Sequence, residues 1–257
     1  MPESSLRARV RESRPLVHCI SNLVTANDCA NILYAAGASP MMAEAPQEMA
    51  EITALADSTV LNLGTPSEEK YAAARICLTE SNRLNKPVVL DPVGVGASAW
   101  RLQRAAALLE AGTPGLLRVN LAEAEALLGM GRAEQGVDST ASTDAARRER
   151  AAASLAGKFG CAVLLTGPVD FVSDGERSVR VDGGSVMTPL VTGSGCMLSA
   201  LCGAFLAVEG DAFAAALYAS RYWKRCSERA EELCAGRGPG SFRAALMDAA
   251  WTAPDQP

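Results

Sequence analysis

Apolar runs alternate with helical segments between residues 59 and 167, and this alternation restricts the fold more than any other feature of the chain. The runs are TVLNLG (59–64), KPVVLDPVGVG (86–96, a strand that ends at Asp91 before a Pro/Gly-rich loop), GLLRVN (115–120) and CAVLLTG (161–167). Strands that are apolar along their whole length are buried on both faces, as in a parallel sheet covered by helices. The sequence therefore predicts an α/β fold, a single-domain αβα sandwich with a mostly parallel sheet and helices on both faces.

Helix and turn signals fill the segments between these runs. Ser67 is suited to cap a helix, with Glu68 and Glu69 in its first turn. The pair Asp174–Gly175 predicts a hairpin turn within 170–184, because both residues tolerate positive φ. Further helices are predicted at 98–111, 122–129, 143–158, 195–208, 211–234 and 239–250. The polar stretch 131–145 predicts a mobile connection, and the chain is predicted to be one domain over 1–257 with flexible ends at 1–14 and 252–257.

Charge and composition exclude several classes of function. A net charge of −5 gives no basic surface for nucleic acid or anionic lipid. Residues 1–15 have no apolar core of a secretory signal, and no stretch reaches the length of a membrane span, so a cytoplasmic protein with small-molecule partners is expected. The eight cysteines form no C-x-x-C pair, and His18 is the only histidine, which argues against zinc ribbons and multi-histidine metal sites.

Polar residues end the apolar runs, where parallel α/β sheets bind their ligands. They include Asn62, Asp91, Arg118 with nearby Glu123, and Thr166. Two carboxylates, a cation and hydroxyls are the groups that Mg²⁺-assisted phosphoryl transfer requires. Neither G-x-x-x-x-G-K-[ST] nor G-x-G-x-x-G is present, so TGSGC (192–196) is the candidate phosphate-binding turn.

Simpler interpretations of the same residues stay open at this point. Asp91 could initiate a turn, Glu123 could lie on a solvated helix face, and Arg118 could be a surface cation. Cys196 stands at the start of a predicted helix, whose free amides favour an anion and a thiolate. It could be a nucleophile, a base or a small hydrophobic residue.

Longer motifs carry a specific resemblance. LVHCISNLVTANDCANILYAAGASPMMAE (16–44), VLDPVGVGAS (89–98), LLTGPVD (164–170) and MTPLVTGSGCMLSALCGAF (187–205) occur in this order. Together they closely resemble the hydroxyethylthiazole kinases of the ribokinase-like superfamily. The resemblance implies phosphorylation of 4-methyl-5-(2-hydroxyethyl)thiazole by ATP with Mg²⁺ in thiamine salvage. It also implies a homotrimer with the thiazole held between subunits.

The resemblance implies a role for each matching residue. Cys196 matches the family's active-site cysteine, where many ribokinase-like relatives have an aspartate base. The other assignments are Asn22, Met42 and Gly193 for the substrate, Arg118, Thr166, Ser194 and Gly195 for ATP, and Asp91 and Glu123 for Mg²⁺. The family commonly reads Arg-Gly-Asn-Ala-x-Glu, and RVNLAE (118–123) departs from this with Val119 and Leu121.

The resemblance leads to a mechanistic hypothesis in which Cys196 accepts the proton of the substrate hydroxyl during phosphoryl transfer. Alternatives are another ribokinase-like kinase, such as one for a hydroxymethylpyrimidine, and a dehydratase of hydrated nicotinamide cofactors. A non-catalytic thiazole or nucleotide sensor and a cysteine-dependent hydrolase are further alternatives. The N-terminal thiazole-type segment disfavours a hydroxymethylpyrimidine kinase, and Cys196 in place of aspartate disfavours a dehydratase. Retained Asp91, Glu123 and Cys196 disfavour a sensor, and His18 is the only histidine that could activate the thiol of a hydrolase.

Overall fold

A computed structural model describes residues 5–130 and 141–254. Its single sheet has eight strands in the order β2-β1-β3-β4-β5-β6-β7-β8. The strands are β1 (Leu16–Ile20), β2 (Ser39–Met41), β3 (Ser58–Asn62), β4 (Val88–Asp91), β5 (Leu116–Asn120), β6 (Ala162–Thr166), β7 (Asp170–Ser173) and β8 (Ser178–Val181). The strands β2 to β6 in this order pair in parallel, and β7 and β8 add an antiparallel hairpin. This arrangement confirms the predicted mostly parallel sheet.

Helices cover both faces of the sheet, as predicted. They are α1 (Leu6–Ser13), α2 (Ala26–Ala36), α3 (Met49–Leu55), α4 (Glu68–Leu84), α5 (Ala99–Ala111), α6 (Leu121–Leu128), α7 (Ala141–Phe159), α8 (Ser194–Leu206), α9 (Ala212–Leu233) and α10 (Pro239–Thr252). One core packs against α2, α8, α9 and α10, and the other against α4, α5, α6 and α7. Neighbouring strand residues alternate between them, since Val89 joins the first core and Leu90 the second.

Local signals explain where the predicted elements begin and turn. The Ser67 hydroxyl accepts a hydrogen bond from the Lys70 amide at 3.1 Å and caps α4. In the β7–β8 hairpin, the Asp174 carboxylate accepts a bond from the Arg177 amide at 2.7 Å, and Gly175 has φ +95°. The predicted hairpin at Asp174–Gly175 is therefore confirmed.

The amino-terminal prediction is corrected within the described residues. The segment predicted to be flexible contains α1, whose Val10 is fully buried in the core. Ser5 caps this helix by accepting a bond from the Ala8 amide, and the Arg7 guanidinium donates to the Trp251 carbonyl at 2.7 Å. The contact between Arg7 and Trp251 joins opposite ends of the chain and carries no local sequence signal. Residues 1–4 and 255–257 lie outside the described part of the chain.

Two further points concern α7 and the membrane. The connection predicted over 131–145 ends earlier, because α7 begins at Ala141. Residues 131–140 lie outside the described part of the chain. Across 5–130 and 141–254, no helix combines the length and apolar character needed to cross a membrane.

Candidate active site

The strands β3, β4, β5 and β6 end in polar residues, and α8 begins at the same end of the sheet. The parallel register places Asn62 beside Asp91, and Asn120 beside Thr166. The Asn62 amide donates a hydrogen bond to the Asp91 carboxylate at 3.0 Å and another to the Cys196 thiol at 3.2 Å. One side chain thus links the candidate metal-binding acid to the candidate base.

Asp91 is a fully buried carboxylate with one oxygen that lacks a hydrogen bond. Its Oδ2 accepts bonds from Asn62 and from the Ser199 hydroxyl, the latter at 2.7 Å. Its Oδ1 has no hydrogen-bond partner, and the nearest cation is Arg118 Nη1 at 3.8 Å. Burial raises the pKa of Asp91 to about 6, although Arg118 opposes the rise. An unpartnered buried oxygen of this kind fits a cation such as Mg²⁺, and its bonds show that Asp91 is more than a turn initiator.

Glu123 is also buried, so the interpretation as a solvated helix face is wrong. Its Oε1 accepts a bond from the Gly94 amide and its Oε2 one from the Asn120 amide, both at 2.9 Å. The Asn120 side chain in turn accepts a bond from the Glu123 amide, which completes a capping box at the start of α6. Each carboxylate oxygen keeps a lone pair, so Glu123 can still serve as an outer acid of a metal site.

A metal site at Asp91 and Glu123 would rest on two protein carboxylates. No group of three or more His, Cys, Asp or Glu that could hold an ion occurs across 5–130 and 141–254. Mg²⁺ keeps several waters and is bound through one or two protein carboxylates together with substrate phosphates. Asp91 and Glu123 fit that requirement.

Arg118 lies between the carboxylates and the start of α8, with 13% of its side chain exposed, so it is not a surface cation. Its Nη2 donates to the Thr166 hydroxyl at 2.6 Å. A Cβ on Gly195 would lie 2.6 Å from the same Nη2, so the guanidinium needs the absence of a side chain there. Three of the four residues predicted to contact ATP, Arg118, Thr166 and Gly195, therefore lie together at the first turn of α8.

The start of α8 carries no side-chain cap. Gly193 precedes it with φ +86°, and a Cβ there would lie 2.3 Å from Thr25 Cγ2, so only glycine fits. Ser194 follows as the first helical residue and is half-buried. First-turn amides without a cap, together with the helix dipole, form a site for an anionic ligand.

Cys196 is 9% exposed and points toward Asn62. Burial raises the pKa of its thiol, and the charge of Asp91 adds to that effect. Hydrogen bonds from Thr25 and Asn62, and the charge of Arg118, lower the pKa without cancelling the rise. The thiol is therefore neutral in the free protein, and the position at a helix start does not overcome burial.

Asn22 and Met42, two of the three residues predicted to bind the alcohol substrate, follow β1 and β2 at the same end of the sheet. Asn22 accepts a bond from the Val24 amide at 3.0 Å, and its Nδ2 is 2.4 Å from the place of a Cβ on Gly64. Met42 follows β2, and 37% of it is exposed. Asn22 therefore adjoins the loop after Asn62, and Met42 lies farther along the same end of the sheet.

Sequence reasoning missed three buried residues around the site. Ser199 stands three positions after Cys196, a helical spacing that places both on one face and was available as a signal. Thr25 packs against Gly193 at the start of α2. Lys70 lies beneath the loops that follow β1 and β3, and its position in an ordinary amphipathic helix gives no sign of its burial.

Comparison with solved structures establishes the class. A ribokinase-like superfamily protein from Enterococcus faecalis superposes with a TM-score of 0.61 over 99% of this chain and 92% of its own, at 13% identity, which shows the fold alone. A structure of hydroxyethylthiazole kinase from Pyrococcus horikoshii superposes with a TM-score of 0.84 at 38% identity, over 96% of this chain and 91% of its own. The fold and this likeness place the chain among the ribokinase-like kinases that phosphorylate an alcohol group.

Sequence comparison then gives the family. The Hydroxyethylthiazole kinase family profile matches residues 7–256. The hydroxyethylthiazole kinase of Listeria monocytogenes is 43% identical over 241 residues, which cover 94% of this chain and 89% of the relative. This chain belongs to the hydroxyethylthiazole kinase family.

Proposed function

We propose that this chain transfers the γ-phosphoryl group of ATP to the hydroxyl of 4-methyl-5-(2-hydroxyethyl)thiazole, a step of thiamine salvage in the cytoplasm. One observation carries the proposal. Asn62 holds Asp91 and Cys196 together immediately beside an uncapped helix start. That arrangement combines an acid for metal binding, a proton acceptor and an anion site within one network.

Asp91 and Glu123 would hold Mg²⁺, which supplies charge neutralisation for the transferring phosphates. The unpartnered Oδ1 of Asp91 supports this role. Arg118 and the first-turn amides of α8 provide further positive charge on the other side of Asp91. Since phosphoryl transfer has a loose transition state, positioning and charge stabilisation supply most of the rate acceleration.

Cys196 accepts the hydroxyl proton in its thiolate form. Because burial and Asp91 raise its pKa, only a small fraction is thiolate at neutral pH. Asn62 can donate to the sulfur in either state, and its bond favours the thiolate. The activity is therefore expected to rise with pH as the thiol titrates.

A homotrimer with sites between subunits is part of the proposal. The resemblance implies this assembly, and exposed apolar side chains beside Asn22 support it. Leu23 is 73% exposed and Val24 is 67% exposed, directly after a residue assigned to the acceptor. Apolar residues at a site rim suit contact with a second subunit.

Release of ADP by the purified protein with ATP and Mg²⁺, with and without hydroxyethylthiazole, tests the activity. A rate that depends on the thiazole supports the proposal. A panel with hydroxymethylpyrimidine and pyridoxal tests the acceptor. ATP binding without ADP release for any acceptor would contradict a kinase and support a sensor. A higher kcat/KM for another alcohol would contradict the thiazole as the substrate.

A further inference from the structure

Lys70 is a buried lysine below the acceptor side of the site, with 4% of its side chain exposed. Its ammonium donates hydrogen bonds to the Ser21 carbonyl at 2.5 Å, to the Gly64 carbonyl at 3.1 Å and to the Thr65 hydroxyl at 3.4 Å. Glu44 Oε1 lies 3.7 Å from the same nitrogen. The three hydrogen bonds therefore satisfy all three N–H donors of the ammonium group, and the ion pair with Glu44 balances its charge.

The partners of Lys70 come from three different loops. Ser21 follows β1, Glu44 lies beyond the end of β2, and Gly64 lies beyond the end of β3. The loops are also joined directly, because the Ser21 amide donates to Glu44 Oε1 and the Leu23 amide donates to Thr65 Oγ1, both at 3.1 Å. Lys70 is thus the centre of a closed network at the carboxyl ends of three adjacent strands.

Each of these loops carries or contacts a residue that is assigned to binding of the alcohol substrate, which is the phosphoryl acceptor. Ser21 is next to Asn22, and Glu44 is two positions after Met42. Gly64 packs against the Asn22 side chain so closely that no Cβ fits between them. The bonds of Lys70 reach none of the nucleotide-side residues Arg118, Thr166 and Ser194.

A buried ammonium is costly, and burial lowers the pKa of Lys70 while Glu44 opposes that change. An apolar side chain of similar length would fill the same space without that cost. A cation bonded to main-chain oxygens fixes loop geometry, which an apolar side chain does not.

We propose that Lys70 is a positioning residue that fixes the three acceptor-side loops and thereby sets the affinity for the alcohol substrate, with no effect on the nucleotide. The inference rests on the proposed function of the site. Lys70 acts on substrate binding through these loops and does not touch the reacting atoms.

The chain offers a matched control in Lys86. Its ammonium also donates to two main-chain oxygens, those of Ala54 and Ala56, the second at 2.6 Å. It does so at the amino end of the sheet, next to the start of β4 and away from the site. Lys70→Met and Lys86→Met therefore each remove an ammonium that donates to two main-chain oxygens, at opposite ends of the sheet.

The experiment measures KM for hydroxyethylthiazole and KM for ATP in both variants. A misplaced binding loop can cost about a hundredfold in catalysis. We expect Lys70→Met to raise the acceptor KM at least tenfold and to leave the ATP KM within twofold, while Lys86→Met changes neither. An acceptor KM within twofold of wild type in folded Lys70→Met, or an equal rise in both KM values, would overturn the inference.

Glu44→Gln keeps the size of the partner and removes its charge, and it decides the question if Lys70→Met does not fold. We expect its acceptor KM to rise severalfold at an unchanged ATP KM, and an unchanged acceptor KM contradicts the network. If the wild-type protein does not phosphorylate the thiazole, the proposed function is wrong. The positioning role of Lys70 is then tested by amide hydrogen exchange of the loops that it contacts. Residues 21–25 and 64–65 should then exchange faster in Lys70→Met, or in Glu44→Gln, than in Lys86→Met, and equal exchange would overturn the role.

Discussion

The helices α6 and α8 begin at the same end of the sheet, yet their first turns are built in opposite ways. The start of α6 is closed by a capping box, in which Asn120 and Glu123 bond to each other's amides. The start of α8 follows a glycine and has no side-chain cap. Uncapped first-turn amides can bind an anion, so this contrast supports the proposal that a ligand binds at the start of α8 and not at that of α6.

The starts of α6 and α8 also contribute charges of opposite sign to the site. Glu123 on α6 brings a negative charge near Asp91 and adds to the rise of its pKa. The start of α8 brings Gly195 against the Arg118 guanidinium, so it adds to the positive side. This division of charge supports the proposal that Mg²⁺ binds near Asp91 and Glu123 and that phosphate binds at the start of α8.

Ser194→Asp should have the largest effect, because it gives α8 the acidic first turn that α6 already has. The new carboxylate competes with phosphate for the amides, so we expect kcat/KM to fall by about a hundredfold to a thousandfold. The same charge suits the helix dipole and should raise the free energy of unfolding by about 0.3–1 kcal/mol. Steady-state kinetics and chemical denaturation measure the two effects.

Ser194→Asn is the matched control, since it has the size of aspartate without the charge. It should keep activity within about tenfold of wild type. If both variants lose activity equally, the loss reflects size, and the anion role of the α8 start is wrong.

Cys196→Ala removes the proton acceptor from α8 and should lower kcat by about tenfold to a hundredfold, at the low end of general-base effects. Cys196→Asp restores an acceptor and should retain or improve turnover. Because the pKa of Cys196 is raised, wild-type kcat should rise with pH, and the aspartate variant should lose that rise. An unchanged kcat in Cys196→Ala would show that the thiol is not the base.

Glu123→Gln weakens the carboxylate of the capped helix and tests whether it serves the metal. A glutamine oxygen can still accept one amide bond, so α6 should remain, with a loss of about 1 kcal/mol in the free energy of unfolding. The Mg²⁺ concentration for half-maximal activity should rise about tenfold to a hundredfold. Titration with Mg²⁺ at saturating ATP measures this, and an unchanged midpoint would limit Glu123 to capping.

Asp211→Ala removes a cap far from the site and should have the smallest effect on activity. Asp211 caps α9 through the Phe213 amide at 2.9 Å and pairs with Arg177. We expect a loss of about 1 kcal/mol in the free energy of unfolding at neutral pH and kcat/KM within twofold of wild type. A larger loss of activity would mean that caps in general, and not those at the site, control catalysis.

The pH dependence of that loss has a definite sign. The bond from Arg177 lowers the pKa of Asp211 below its ordinary 3.8, so its stabilisation is complete above that value. It disappears as the pH falls through the lowered pKa. Wild type and Asp211→Ala should therefore converge in stability in acid, which denaturation at several pH values would show.

Much of the fold can be predicted from the sequence, because local sequence signals specify its strands. The strand that ends at Asp91 and the hairpin at Asp174–Gly175 follow from apolar runs and turn residues, and the structure confirms both. The helix α1 was not readable, because Val10 is buried by residues distant in the sequence. The contact from α1 to Trp251 spans nearly the whole chain.

The site was readable only in part, for a similar reason. The strand-end rule identified Asn62, Asp91 and Arg118, whose positions depend on the direction of parallel strands. The burial of Lys70 and the double bonding of Glu123 depend on how separate loops meet. Sequence spacing alone gives no measure of that.

The neutral state of the Cys196 thiol also affects how fast oxidants and electrophiles react with the resting protein. Peroxides and electrophiles react with thiolates far faster than with thiols. Burial, with a further contribution from the charge of Asp91, raises the pKa of this thiol, so the sulfur is a poor target for them. We therefore expect hydrogen peroxide to inactivate the resting protein slowly, because this sulfur is buried and protonated.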